Sequence, residues 1–352
     1  MSLLDRLAAE IAANGPISVA RYMTVCLHDP QGGYYATQPA LGEAGDFVTA
    51  PLVSQMFGEL IGVWLASAWE LMGRPDEVRV VEMGPGDGTL MEDVLRTVRV
   101  APGFAAAADV WLVETSPPLR RLQEERLGET VRWAASLDQV PGGAPVLLVA
   151  NELLDCLPAR QFVKTAVGWR EQLVGLDRFG ALAFVRAPTP AAGLLPDAPE
   201  GAVYEQSAAQ AALGAALGAR IAGDGGAALL IDYGRAEPGF GDTLQALSRH
   251  EKVDPLARPG GADLTVHADF PAVMAAAQAQ GAQAAILTQA EFLARLGIGA
   301  RCEALVRARP DRAATLGRQL NRLISGDEMG ELFKVCAIHA PGWTPPGFED
   351  AA

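Results

Sequence analysis

The sequence is poor in the residues from which metal centres and disulfide frameworks are built. Its four cysteines (Cys26, Cys156, Cys302, Cys336) are dispersed without a C-x-x-C pair, and its four histidines make no H-x-x-x-H. No metal site is therefore expected, and the cysteine usage points to a reduced compartment. No apolar run reaches the roughly 20 residues needed to cross a bilayer. The amphipathic N-terminus carries Asp5 and Glu10, unlike a signal peptide or an acid-poor transit peptide. These absences predict a cytoplasmic protein without membrane insertion. Positive charge is scarce too: 28 Lys and Arg stand against 42 Asp and Glu, a formal net charge of −14. That balance disfavours nucleic acid and permits a basic partner.

Glycine and proline, at 38 and 24 residues, are plentiful, and the 352-residue chain is long enough for one large domain with insertions or for two domains. The most informative stretch is Val80-Val81-Glu82-Met83-Gly84-Pro85-Gly86-Asp87-Gly88-Thr89-Leu90. A buried apolar strand runs into three glycines at alternate positions. A helix then begins, with Thr89 and Glu92 spaced as a capping box and Leu90, Val94, Leu95 and Val98 at helical spacing. Glycine allows a tight turn and a close ligand, and the helix N-terminus offers unpaired N–H groups. A dinucleotide site would show G-x-G-x-x-G with a diphosphate over the helix. Here the pattern is E-x-G-x-G-x-G, and carboxylates at Glu82 and Asp87 suit a ligand carrying an amino group and a sulfonium, as in the first motif of S-adenosylmethionine methyltransferases.

The following residues alternate strand and helix, predicting an α/β, Rossmann-like doubly wound sheet. Strands are expected over 79–83, 109–114, 130–133, 145–150, 227–232, 282–287 and 332–340. Glu114 closes the second, 30 residues beyond Gly84, where an acidic group accepts from ribose hydroxyls in doubly wound sheets. The fourth ends in Asn151-Glu152-Leu153-Leu154-Asp155, three polar groups straight after an apolar strand and at the end where ligands gather. Residues 160–187 alternate in the manner of an inserted antiparallel sheet, and 235–265 show no clear periodicity. Helices are expected over 2–13, 17–27 and about 55–72. Residues 1–75 are read as a helical cap, too short to own a core, over a 76–345 domain with insertions at about 160–204 and 235–265. Within the cap, Asp46 and Glu59 admit two readings: site groups, or loop capping and a solvated helix face.

From about Gly15 to Ala340 the chain resembles the MidA family of class I S-adenosylmethionine-dependent methyltransferases. The resemblance is carried by GYY (33–35), GDFVTAP (45–51), SQMFGE (54–59), EMGPGDGTL (82–90), VETSPPLRRLQ (113–123), NELLDCLPARQF (151–162), IDYG (231–234), DTLQA (242–246), PGGADLT (259–265) and FKVCA (333–337). Leu52 departs from it, standing where family members usually carry Glu. The resemblance implies S-adenosylmethionine as cofactor, held by Glu82, Gly84, Pro85, Gly86, Gly88, Thr89, Glu114 and Asn151, with the stretch 133–137 beside the adenine. It also implies a protein arginine as acceptor, yielding symmetric dimethylarginine, in a respiratory complex I core subunit or its bacterial counterpart. Relatives in eukaryotes work in the mitochondrial matrix. A guanidinium stays protonated, so acidic groups must hold its fork and absorb the departing proton. Glu152 and Asp155 are the first choice for that task, with Asn151 beside them and Asp46 next if the cap folds over the site. A homodimer is a candidate assembly. Two other functions stay open: a methyltransferase with another acceptor, and an assembly chaperone that binds the cofactor but catalyses little.

Overall fold

The computed structural model describes residues 1–37, 49–193, 195–248 and 251–349. Its centre is a sheet of seven main strands: Val78–Met83 (β1), Ala108–Val113 (β2), Arg132–Ala134 (β3), Val146–Asn151 (β4), Gly226–Arg235 (β5), Gln283–Thr288 (β6) and Phe333–His339 (β7). They lie in the order β6-β7-β5-β4-β1-β2-β3, with the two-residue strand Ala268–Asp269 also paired to β5. The run from β5 to β3 is parallel, and β7 pairs antiparallel with both β5 and β6. The order reverses direction between β1 and β4. In an open sheet that reversal leaves a crevice beyond the carboxyl ends of the strands.

The strands read as continuous apolar runs because helices cover both faces. Successive side chains alternate across the sheet. Val80, Leu147, Val149, Leu229, Ile231 and Val335 face one core, which also holds Trp64, Trp69, Phe104 and Phe292. Val81, Val146, Leu148, Leu230, Cys336 and Ile338 face the other, with Leu217, Ile221, Phe270 and Val273. Two close helix contacts depend on glycine. On helix Ala208–Asp224, a Cβ at Gly214 would meet Val273 O at 2.4 Å, and one at Gly218 would meet Ala277 O at 2.5 Å. A Cβ at Gly58, on helix Gln55–Leu71, would lie 2.5 Å from Asp93 Cβ.

The insertion at 160–204 is antiparallel, as the alternation predicts. Arg160–Thr165, Gly168–Leu176, Leu182–Arg186 and Val203–Gln206 form one sheet, and Ile17–Ser18 from the N-terminal segment joins it. The expected helix over 17–27 therefore starts two residues late, at Val19, with the Ser18 hydroxyl accepting from Arg21 N–H. Residues 235–265 do contain strands: Gln245–Ser248, Glu251–Val253 and Asp263–Thr265 make a small sheet whose shortness hid its period. The first helices share a third core with both inserted sheets, through Leu3, Leu7, Tyr22, Leu27, Val174, Ala246 and Leu264. Helix Gln55–Leu71 packs instead on the central sheet.

The glycine contacts generate a stability prediction. Gly218→Val forces a side chain against the Ala277 backbone, an overpacking that costs about 1–3 kcal/mol and outweighs the gain in helix propensity. A lowered thermal midpoint is expected; an unchanged one would show that the two helices separate freely.

Candidate functional site

The crevice holds a cavity of about 550 Å³, walled by the ends of β1, β2 and β4 and roofed by the N-terminal segment. That volume lies in the range of small-molecule and cofactor sites. Glu82, Gly84, Pro85, Gly86, Thr89, Glu114, Asn151, Glu152 and Asp155 all line it. Gly88 does not; its left-handed φ of 84° starts the helix behind the loop. Asp46 lies outside the described residues.

The glycine turn follows from backbone geometry. Gly84, Gly86 and Gly88 have φ of 65°, 57° and 84°, values that favour glycine. A Cβ at Gly84 would sit 3.0 Å from Leu153 Cδ1, so the leucine tip would have to give slightly; the backbone conformation is the stronger constraint. The expected Thr89 cap does not form: the N-cap is Gly88, and helix Thr89–Thr97 begins at Thr89. Asp87 takes the capping role, its Oδ1 accepting from Thr89 N–H at 3.0 Å while Oδ2 pairs with Arg126 at 2.9 Å. Glu92, freed from the capping box, pairs with the same arginine. Asp87 thus braces the loop.

Glu82 is 3% exposed, and its Oε2 has no hydrogen-bond partner. Burial first, then the charges of Asp87 and Glu114, hold its carboxyl well above the usual range. The fully buried Oδ1 of Asn151 likewise lacks a partner. Glu114 is oriented from two sides, Oε1 by Ser116 N–H at 2.6 Å and Oε2 by the Gln123 amide at 3.1 Å. Burial raises its pKa, against those two donors. Gln123 is fully buried and also donates to Gly86 O at 2.7 Å while accepting from Trp133 Nε1 at 3.0 Å. One amide so ties the glycine loop, the Glu114 carboxylate and the third strand together. Trp133 itself does not line the cavity; Ala135, Ser136, Leu137 and Asp138 do, opposite Ala212, Leu213 and Ala216.

At the other end, Glu152 has a left-handed backbone with φ 52°. A non-glycine residue there is strained and needs support. Its N–H donates to Ile231 O at 2.8 Å, and its Oε1 accepts from Asn151 Nδ2 at 3.0 Å and weakly from Ala50 N–H at 3.4 Å. Burial, followed by the charge of Asp155, pushes its carboxyl up to about 7. Asp155 is 5% exposed and accepts from the Tyr233 hydroxyl at 2.7 Å. Burial raises it to about 6, against that hydrogen bond. Tyr35 and Asp263 complete this end, the Tyr35 hydroxyl donating to the Asp263 carboxylate at 2.9 Å. His28 lines the same end, its pKa lowered by burial. Among the described lining residues there is no Lys or Arg.

The residue pattern alone assigns no role to Tyr35, Gln123, Asp232, Tyr233 or Asp263, although each falls in a shared motif or beside one. Asp232 is the one with a usable signal, a carboxylate closing an apolar strand. Glu59 is not on a solvated helix face: it is 8% exposed and held by both nitrogens of the Arg301 fork, at 2.7 and 2.8 Å.

Unpaired acceptor oxygens and like-charged carboxylates on a glycine turn fit a ligand that is cationic and rich in donors, as S-adenosylmethionine is. Comparison with known proteins agrees. A family model for S-adenosyl-L-methionine-dependent methyltransferases matches residues 60–288. The chain is 37% identical to the mitochondrial protein arginine methyltransferase NDUFAF7 of Danio rerio, over 96% of this chain and 86% of that protein. The Homo sapiens protein of the same name is 35% identical, over 96% and 83%. A crystal structure from Burkholderia thailandensis bound to S-adenosyl-homocysteine superposes with a TM-score of 0.83 at 32% identity, covering 99% of this chain and 93% of that one. A second structure from the same organism gives 0.85 at 31%. The chain belongs to this methyltransferase family, and its cofactor is S-adenosylmethionine.

The raised carboxyls set a pH dependence. Folded pKa values of about 7 for Glu152 and about 6 for Asp155 exceed the ordinary 4.5 and 3.8. The folded state therefore binds more protons between about pH 4 and 7. Their contribution to stability is complete below about pH 4 and is lost as pH rises through 6 to 7. A tenfold change in proton affinity is worth about 1.4 kcal/mol. With solvent screening of a half-buried group, Glu152 accounts for on the order of 2–3 kcal/mol. The ligand-free protein should melt lower at pH 7.5 than at pH 5.5, and Glu152→Gln should remove part of that slope; a slope of opposite sign in calorimetry would refute the assignment.

Proposed function

We propose that this methyltransferase modifies arginine side chains of protein substrates, the activity that the names of its curated relatives state for them. The observation that carries this reading is the acidic end of the cavity. Glu152, Asp155 and Asp263 line it with no Lys or Arg among the described lining residues, and the pKa of His28 at the same end is lowered by burial. An acceptor that brings its own positive charge suits such a wall, and a guanidinium offers the planar fork that carboxylates match.

Bound S-adenosylmethionine supplies an electrophilic methyl group on a sulfonium centre. We assign Glu82, the Gly84–Gly86 turn, Thr89 and Asn151 to its amino-acid end, with Gly88 shaping the turn, and Glu114 to its ribose. Alignment dominates such a displacement and can contribute up to about 7–11 kcal/mol. Glu152 and Asp155 would hold the guanidinium fork and turn one nitrogen toward the methyl group. That nitrogen loses a proton as it gains a carbon. A carboxylate titrating at about 7, as Glu152 does, is matched to accept it near neutral pH. Asp46 stays the next choice. The substrate we favour is a respiratory complex I core subunit or its bacterial counterpart, with symmetric dimethylarginine as product. The chain's net charge of −14 would draw a basic segment toward it.

Calorimetric titration with S-adenosyl-homocysteine should show binding in the wild type and none in Gly86→Val. Glu152→Gln should retain that binding while arginine methylation, followed by mass spectrometry of respiratory subunits, falls about 100-fold or more. Undiminished methylation in Glu152→Gln would remove Glu152 from the reaction. Undiminished assembly of complex I by a methylation-dead variant would favour a chaperone instead.

A further inference from the structure

We propose that Tyr233 is a positioning residue for methyl transfer, its hydroxyl occupying one oxygen of Asp155 so that the carboxylate presents a fixed face to the acceptor; this rests on the reading of Asp155 as part of the acceptor site. Tyr233 lies near the end of β5, is 6% exposed and does not line the cavity. Its hydroxyl donates to Oδ2 of Asp155 at 2.7 Å. Its ring is gripped edge-on by His267, centroids 5.6 Å apart, and by Phe333 at 5.4 Å, so the phenol has little freedom to swing away.

The neighbouring residue completes the arrangement. Asp232 is fully buried; its Oδ2 accepts from Leu154 N–H at 2.8 Å and Asp155 N–H at 3.1 Å, and its Oδ1 from Tyr233 N–H at 2.9 Å. Two consecutive residues of β5 thus hold Asp155 twice, by its backbone through Asp232 and by its carboxylate through Tyr233. A carboxylate with one oxygen engaged cannot rotate freely, which a planar guanidinium partner requires. Among the described residues, the titratable groups around Asp155 are Glu152, Asp232, Cys156, Asp263, Tyr35 and Tyr233, with His267 against the Tyr233 ring and His28 stacked on Tyr35, the pKa of both lowered by burial. No basic group among them acts on the Asp155 carboxyl itself. The ionised form of Asp155 is therefore favoured by hydrogen bonds alone, from the Tyr233 hydroxyl first and the Cys156 backbone second.

Tyr233→Phe removes the hydroxyl and keeps the ring. Three readouts separate positioning from packing. Carboxyl-labelled aspartate, assigned with Asp155→Asn, should show by NMR that the Asp155 midpoint rises in Y233F. The acidic limb of the kcat/KM profile on an arginine peptide should rise with it, and kcat/KM should fall about ten-fold, while S-adenosyl-homocysteine affinity changes by less than about two-fold. The double variant D155N/Y233F should be no worse than D155N, because both act through one group. An Asp155 midpoint that does not move, or a moved midpoint with an unchanged pH profile, overturns the proposal. Failure of the underlying reading is distinct: wild-type protein that binds S-adenosyl-homocysteine and methylates no arginine peptide, with the midpoint still displaced in Y233F, refutes the arginine acceptor and leaves the Tyr233 contact standing.

Discussion

The structure depends on keeping carboxylates together at one end of the central sheet without neutralising them. Glu82, Asp155 and Asp232 are almost wholly buried, and Glu114 and Glu152 are half-buried beside them. Burying a charge is expensive unless it is paired or well hydrogen-bonded. Among the described residues that line the cavity there is no Lys or Arg, and Arg322 is the weakest of the influences on the Glu152 carboxyl. The donors around these groups are neutral: the N–H groups of Ala50, Ser116, Leu154 and Asp155, the amides of Gln123 and Asn151, and the Tyr233 hydroxyl. Guanidinium groups appear one layer out, where Arg126 braces Asp87 and Arg301 braces Glu59. Neutral donors orient a carboxylate and leave its field in place. A cavity built this way stays attractive to a cation, and both the cofactor's sulfonium and the proposed acceptor are cations.

The scaffold makes that concentration possible with little added conformational freedom to lose. Parallel strands all end on the same edge, so β1, β2, β4 and β5 each deliver a polar residue to one place after an apolar run. The N-terminal segment spans both ends of the result. The Ser116 hydroxyl donates to Tyr35 O at 2.6 Å at the cofactor end, while the Tyr35 hydroxyl holds Asp263 at the acidic end. Asp263 comes from the small third sheet and Tyr35 from the first forty residues. The site is thus assembled from the central sheet, the cap and an insertion together.

Much of this was legible in residue order. Period-2 alternation and continuous apolar runs located every main strand to within three residues, the largest miss being the end of Gly226–Arg235, and the alternate glycines marked the turn. Asn151, Glu152 and Asp155 stood out because polar groups directly after an apolar strand have one physical destination. What the sequence concealed were contacts between distant residues. Nothing local says that Gln123 reaches back to Gly86 or that Tyr233 reaches Asp155. Local logic also misled at Thr89, where capping-box spacing is satisfied but the left-handed Gly88 and the Asp87 carboxylate take the role. Ile17–Ser18 reads as helix from its neighbours and becomes strand because the inserted sheet offers it an edge.

The backbone at Glu152 bears on whether catalysis or mere cofactor binding shaped this site. A left-handed conformation in a non-glycine residue costs on the order of 1–3 kcal/mol, and a half-buried acid titrating near neutrality adds to that cost. Cofactor binding as assigned to Glu82, Glu114 and the glycine turn requires neither. Both burdens fall on one residue, outside the glycine loop, whose carboxylate lines the cavity. Strain and a shifted titration together are what a proton acceptor near a cationic substrate needs, and a chaperone would gain stability by shedding them. Their coincidence at Glu152 weighs for an enzyme.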